Sequence, residues 1–157
     1  MKKNAEFATQ YTIYETLTDL SLTDQELLQT ATDFLAKAYA PYSGYPVAAA
    51  ARLADQQIQA GANQENAAYP MCLCAERVVL GKVLSQVPIV PVDTLAIKVR
   101  KSGLLAAPCG ACRQVLTETE GRFNRPIRLL LQAGQDAVYE FPTAAALLPF
   151  GFGPANL

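Results

Sequence analysis

The sequence predicts an α/β domain in which a mixed sheet is packed between helices. Three observations predict it. The chain has 157 residues, the size of one ordinary domain. Its apolar fraction, 51%, is enough for a substantial core. Strand-like segments come in pairs separated by single helical segments, a pattern that covers a sheet with helices. There is no internal repeat and no low-complexity segment.

The elements follow in order. Residues 10–18, "QYTIYETLT", are rich in Tyr, Thr and Ile and read as a strand. "SLTDQELLQTATDFLAKAYA" reads as a helix because Leu27, Leu28, Ala31, Phe34, Leu35 and Ala38 recur at helical spacing, with Ser21 or Thr23 as the cap. Pro41 ends it and "PYSGYP" turns the chain. "VAAAARLA" and "QQIQAGA" read as a hairpin, and "NQENAAYP" as a polar loop. A helix is expected from Cys74 to Ser85, then an apolar strand in "VDTLAIKV". Pro108 sits where a helix begins, and "CGACRQVLTET" continues it. "IRLLLQA" is a buried strand, "AVYEFP" a shorter one, and "TAAALLP" a short helix capped by Thr143.

Charge narrows the function. Only 17% of residues are charged, the formal net charge is -1, and no stretch gathers Lys and Arg into a stripe. Binding to nucleic acid through phosphate neutralisation is therefore disfavoured. So little charged surface also points to apolar surface hidden in subunit contacts. The N-terminus lacks the apolar run of a signal peptide, and no run approaches the roughly 18 residues of a membrane span. The chain reads as cytoplasmic, where thiols stay reduced. Its four cysteines are then metal ligands or nucleophiles rather than disulfides.

Those cysteines stand in "PMCLCAERVVL" (70–80) and "APCGACRQVL" (107–116). Cys109 and Cys112 form a CxxC, half of a zinc site. Two readings compete for the other half. With both Cys72 and Cys74 the site has four thiolates and is structural. With one of them it has three thiolates and an open position, as a catalytic zinc requires. Glu76, two residues past Cys74, favours the open site, because a carboxylate beside an activated water has work there and none in a closed site. Three thiolates leave the ion with net negative charge. Helix starts aimed at the sulfurs offset this, and Arg77 and Arg113, each next to a site residue, are expected to donate to sulfur from behind the ligands.

"CAER" followed by "PCGACRQVL" resembles the zinc-dependent cytidine deaminases, in the compact form with three cysteine ligands. "AYAPYSGYPVAAA", "GANQENAAYP" and "LLPFGFGPANL" resemble further motifs of that family, so the likeness spans residues 38–157. The resemblance implies a three-layer α/β/α fold with a central mixed sheet of about five strands. It also implies a single domain over 1–157, with 1–22 as an N-terminal extension. It implies hydrolytic deamination of cytidine and 2'-deoxycytidine with release of ammonia. Zn2+ is the implied cofactor, held by Cys74, Cys109 and Cys112 with water as fourth ligand, and Glu76 is the proton shuttle. Asn63 and Glu65 are implied to bind the ribose hydroxyls, and Tyr45 to lie near sugar and base. The Ala75 N–H and the Ala107 carbonyl are implied to contact the base. A homotetramer is implied, in which Tyr69 and Phe152 reach a neighbour's site. The sequence departs from the family pattern at Ala48, where a glycine is expected, and at Tyr45, where a phenylalanine is. Cys72 has no role in the pattern and reads as a free thiol. The alternatives are a deaminase of a related aminopyrimidine nucleoside or nucleoside antibiotic, a polynucleotide-editing deaminase, and a non-enzymatic zinc module with four cysteine ligands.

Overall fold

A computed structural model describes residues 2–103 and 105–157; positions 1 and 104 of the expected single domain lie outside the described residues. Strands β1 (Thr12–Tyr14), β2 (Val47–Leu53), β3 (Ile58–Ala62), β4 (Val92–Val99), β5 (Arg128–Ala133) and β6 (Val138–Phe141) form one sheet in the order β1-β6-β5-β4-β2-β3. Only β4 and β5 run parallel. A parallel pair needs a crossover, and the crossover here carries one of the helices that build the site.

The sheet has six strands, one more than the resemblance implies and as many as the strand-like segments of the sequence. The strand beyond five is β1, from the N-terminal extension. Without it β6 would present unpaired backbone groups at the sheet edge. Thr12, Ile13 and Tyr14 pair with Glu140, Tyr139 and Val138. The strand is shorter than the 10–18 reading because Leu17–Asp19 turns into a short 3-10 helix. Asp19 fixes that turn by accepting from the Thr16 N–H and hydroxyl.

The helices are α1 (Leu22–Phe34), α2 (Ala75–Leu84) and α3 (Gly110–Phe123). Ser21 rather than Thr23 caps α1, its hydroxyl accepting from the Asp24 N–H. The C-terminal "TAAALLP" forms a 3-10 turn, Ala144–Leu147, capped by Thr143 as expected. Alternation along the strands sorts side chains to the two faces. Leu95, Ile97, Leu129 and Leu131 pack with Val79, Leu80 and Val83 of α2 and Leu116 of α3. Ala96, Leu130 and Val138 pack with Leu27, Leu28 and Ala31 of α1. The result is three layers.

The alanine run explains how closely the layers approach. Ala48, Ala49, Ala50 and Ala51 of β2 are all fully buried, because this strand is covered on both faces. Ala48 packs beside Leu35 and Ala62 without disturbing the β2–β3 register. In β3, a Cβ on Gly61 would lie 2.8 Å from Val78 Cγ1. Glycine therefore lets α2 sit against the sheet, which sets the depth of the helix start.

Candidate active site

Two helices begin at cysteines. Cys74 is the N-cap of α2 and Cys109 the N-cap of α3, and neither side chain makes a capping hydrogen bond. The first N–H groups of both helices thus face the sulfurs, and helix starts favour thiolate. Cys112 lies one turn into α3 and is fully buried. The three sulfurs lie within 4.8 Å of one another. Cys74 Sγ is 3.8 Å from Cys109 Sγ, which is 3.5 Å from Cys112 Sγ. A tetrahedral zinc with bonds of about 2.3 Å spaces its ligands by about 3.8 Å, so the sulfur spacing fits the ion.

Cys72 is not part of this group. Its sulfur accepts from the Asn66 N–H at 3.2 Å and lies 3.6 Å from the Asn66 carbonyl. It ties down the polar loop instead.

The ionisation pattern fits the same ion. Hydrogen bonding from Cys112, then from Cys109, together with the charge of Arg77, brings Cys74 down to about 6 despite burial. The same contacts push Cys112 up, through its hydrogen bond to Cys74 and through burial. Three crowded thiols cannot all ionise unaided. A divalent cation at their centre removes the conflict, since a coordinating thiol is deprotonated outright.

Glu76, in the first turn of α2, is 4% exposed. Burial raises its pKa, and the nearby Cys74 charge raises it further. Its own backbone N–H, Cys112 and Arg77 pull the other way. A carboxyl poised above its usual range both accepts and returns a proton near neutral pH.

A cavity of about 380 Å³ opens over these groups, lined by Cys74, Ala75, Glu76, Ala107 and Cys109 together with Tyr45, Asn63 and Glu65. Ile97, Val99 and Ala106 give it apolar walls. Asn63 Oδ1 accepts from the Val47 N–H and its Nδ2 donates to the Tyr45 carbonyl, both at 3.0 Å. One N–H and one lone pair of that amide remain for a ligand. Glu65 Oε2 accepts from the N–H groups of Tyr42, at 2.8 Å, and Ser43, at 3.2 Å. The Ser43 side chain, then these backbone donors, hold its pKa below the usual carboxylate range. Ser43 went unnoticed in the sequence. Its only signal there was its place in the "PYSGY" turn.

Other expected residues lie further out. Tyr69 is exposed and meets the Tyr42 ring edge-on at 6.0 Å. Phe152 is 59% exposed and is not among the residues lining the cavity. The arginines differ from expectation in their partners. Arg77 Nη2 donates to the Cys72 carbonyl at 2.7 Å. Arg113 donates to the carbonyls of Pro108, at 2.8 Å, and Leu147, at 3.0 Å. Arg77 braces the backbone beside Cys74, and Arg113 ties the backbone beside Cys109 to the C-terminal segment at Leu147. Arg77 Nε is buried with no hydrogen-bond partner among the described residues, and its charge still acts on Cys74.

Residues 21–124 match the family model described as the cytidine and deoxycytidylate deaminase zinc-binding region. A cytidine deaminase of Sporosarcina psychrophila is 39% identical over 121 residues, which cover 77% of this chain and 85% of that one. One of Halalkalibacterium halodurans is 40% identical over 96 residues, 60% of this chain and 70% of the other. Among solved structures, the cytidine deaminase of Burkholderia pseudomallei superposes with a TM-score of 0.71 at 35% identity, covering 81% of this chain and 97% of its own. That of Mycobacterium tuberculosis gives 0.66 at 32% identity, over 85% and 99%. With three sulfurs spaced for zinc and a buried glutamate beside them, this chain belongs to the zinc-dependent cytidine and deoxycytidylate deaminase family.

Proposed function

We propose that the protein hydrolyses the amino group of cytidine and 2'-deoxycytidine, giving uridine or deoxyuridine and ammonia. One observation carries this reading. The sulfur triad and the buried Glu76 share one cavity of about 380 Å³ with Asn63 and Glu65, which offer sugar hydroxyls a donor and acceptors.

Zinc held by Cys74, Cys109 and Cys112 supplies a Lewis acid that brings a water's pKa towards neutrality. Glu76 accepts a proton of the attacking water at its carboxylate and passes it to the ring nitrogen next to the amino-bearing carbon; it then accepts the proton of the hydroxyl added to that carbon and delivers it to the departing amine, which leaves as ammonia. Burial keeps both protonation states of this carboxyl within reach. The Ala75 N–H, at the start of α2, is placed to donate to the base's exocyclic oxygen, and the Ala107 carbonyl to accept from the amino group. Tyr45 covers the sugar and base from the opposite wall. The apolar walls exclude bulk water.

The lining also favours a nucleoside over a nucleotide. It contains no Lys or Arg among the described residues, and Glu65 would repel a phosphate. A related aminopyrimidine nucleoside would use the same parts. Purified protein should lower the ultraviolet absorbance of cytidine and deoxycytidine while leaving the 5'-monophosphates nearly untouched. Equal turnover of the monophosphates, or none of the nucleosides, would overturn the reading.

We further infer a homotetramer with shared sites. Tyr39, Tyr42, Tyr69, Met71 and Leu73 are exposed, and backbone bridges through Gln64 link Tyr39 to Leu73. Such a strip of large apolar side chains beside a site is suited to a subunit contact. Tyr69 and the exposed Phe152 are the residues assigned to a neighbour's cavity, with Phe152 against the pyrimidine. Light scattering would show four chains per particle. Among the described residues no helix is long and apolar enough to cross a membrane. We place the enzyme in the cytoplasm, in pyrimidine salvage.

A further inference from the structure

The C-terminal tail is gripped from two directions at adjacent residues. From the side of α3, Arg113 donates to the Leu147 carbonyl at 3.0 Å, and Gln114 Nε2 donates to the Phe152 carbonyl at 2.8 Å. From a second element, the N-terminal extension, the Thr9 hydroxyl donates to the Ala146 carbonyl at 2.8 Å. Two residues earlier in the extension, Phe7 meets Phe150 with ring centroids 6.2 Å apart. The extension itself is fastened to the sheet by β1 and by Tyr11, whose ring stacks on Tyr139 and Phe141 at 6.0 and 5.4 Å. Tyr14 adds a hydrogen bond to Glu140, which pairs with Arg128.

The gripped segment has reason to need support. Phe150 has a φ of 56°, a left-handed conformation that persists only where surrounding contacts hold it. It is almost fully exposed, so few contacts do so. The matched family region starts at residue 21, so the extension lies outside it.

We propose that the N-terminal extension is a positioning device for the tail, in which Thr9 and Phe7 fix the direction taken by Phe152. This rests on the reading of Phe152 as a contact to substrate in a neighbouring subunit. The extension touches no substrate. Thr9 acts on the Ala146 carbonyl, the tail carries that constraint through the left-handed Phe150, and Phe152 emerges on a defined path. A tail held only by Arg113 and Gln114 samples more directions between those two points, and substrate binding must then order it.

The test is steady-state kinetics on full-length protein. Thr9→Val together with Phe7→Ala should raise the KM for cytidine roughly five-fold, the equivalent of one ordinary hydrogen bond, while kcat, zinc content and particle size stay at wild-type values. Thr9→Ser should behave as wild type. In a Phe152→Ala background the paired change should have no further effect, because the residue it positions is gone. If Phe152→Ala raises KM but the extension variant leaves it unchanged, the extension is not a positioning device and the proposal fails. The proposal also fails if the extension variant acts equally in both backgrounds. If Phe152→Ala itself leaves KM unchanged, the assignment of Phe152 fails first, and the proposal goes with it.

Discussion

Replacing Glu76 by Gln separates catalysis from metal binding and from stability. The substitution keeps shape and removes only the capacity to carry a proton, so neither the sulfur spacing nor the cavity should change. Loss of a positioned acid–base group costs about 10²- to 10⁴-fold, equivalent to about 2.7–5.4 kcal/mol of barrier. Zinc per chain should stay at the wild-type level. The zinc-free protein should respond in the opposite direction. Burial holds the Glu76 pKa above its unfolded value. Between those two values the folded chain therefore binds more protons than the unfolded one. Stability is thus fully present below about pH 4 and falls as pH rises through the raised pKa. Gln cannot ionise, so the zinc-free variant should melt above the zinc-free wild type at neutral pH, with the difference vanishing near pH 4. Absorbance kinetics, zinc analysis and thermal melts with chelator read the three quantities. Turnover within three-fold of wild type, or a variant that loses zinc, would refute the assignment of Glu76 as proton carrier.

Cys112→Ser should abolish stoichiometric zinc, whereas Cys72→Ser should retain it, since the Cys72 sulfur serves Asn66; a colorimetric zinc assay on both variants decides. Glu120→Ala should destabilise the fold by about 3 kcal/mol or more. Its carboxylate accepts from Ile127, Ala144 and Ala145 N–H groups and from the Thr143 hydroxyl; the variant orphans the Ile127 and Ala144 donors and leaves Ala145 only its bond to the Thr143 hydroxyl. The expected drop in Tm is about 6–12 °C. Glu65→Gln should raise KM for cytidine about ten-fold with little change in kcat, as loss of a charged hydrogen-bond partner implies. Because the Glu65 pKa is held low, its contribution to KM should persist as pH falls past the ordinary carboxylate range and be lost only below it.

Most of the architecture was legible because periodicity and punctuation agreed. The "VAAAARLA" and "QQIQAGA" segments became β2 and β3 almost to the residue, and Pro108 announced α3. The first strand was legible in "QYTIYETLT", but its end was not, because the turn at Leu17–Asp19 that cuts it to three residues rests on Asp19 reaching back to Thr16. The site divided in the same way. The CxxC of Cys109 and Cys112 and the role of Glu76 were visible from spacing and chemistry, because few other arrangements serve a metal with an open position, whereas the choice of Cys74 over Cys72 came with the family resemblance. Arg77 and Arg113 were noticed for position, but their acceptors were not deducible. Which carbonyl a guanidinium meets depends on how the folded chain brings Cys72, Pro108 and Leu147 beside it. The extension's hold on the tail joins Thr9 to Ala146, across nearly the whole chain, and no local pattern signals such a contact.

The electrostatics explain why this chemistry needs two helices rather than a loop. Three thiolates overcompensate a divalent ion by one negative charge, which opposes the making of hydroxide. Each helix start contributes about half a positive charge, and here two of them begin at ligands, Cys74 and Cys109. Together they return the centre close to neutrality before Arg77 is considered. Arg77 then adds a full charge from a position where its hydrogen bond goes to the Cys72 carbonyl. Its field thus reaches Cys74 while its geometry is fixed by the backbone. The same carbonyl belongs to the residue whose sulfur secures Asn66, so the loop that carries Asn63 and Glu65 is referenced to the metal helix through Cys72 and Arg77. A thiol outside the sulfur triad thereby helps to set the distance between Asn63 and Glu65 and the cysteine group.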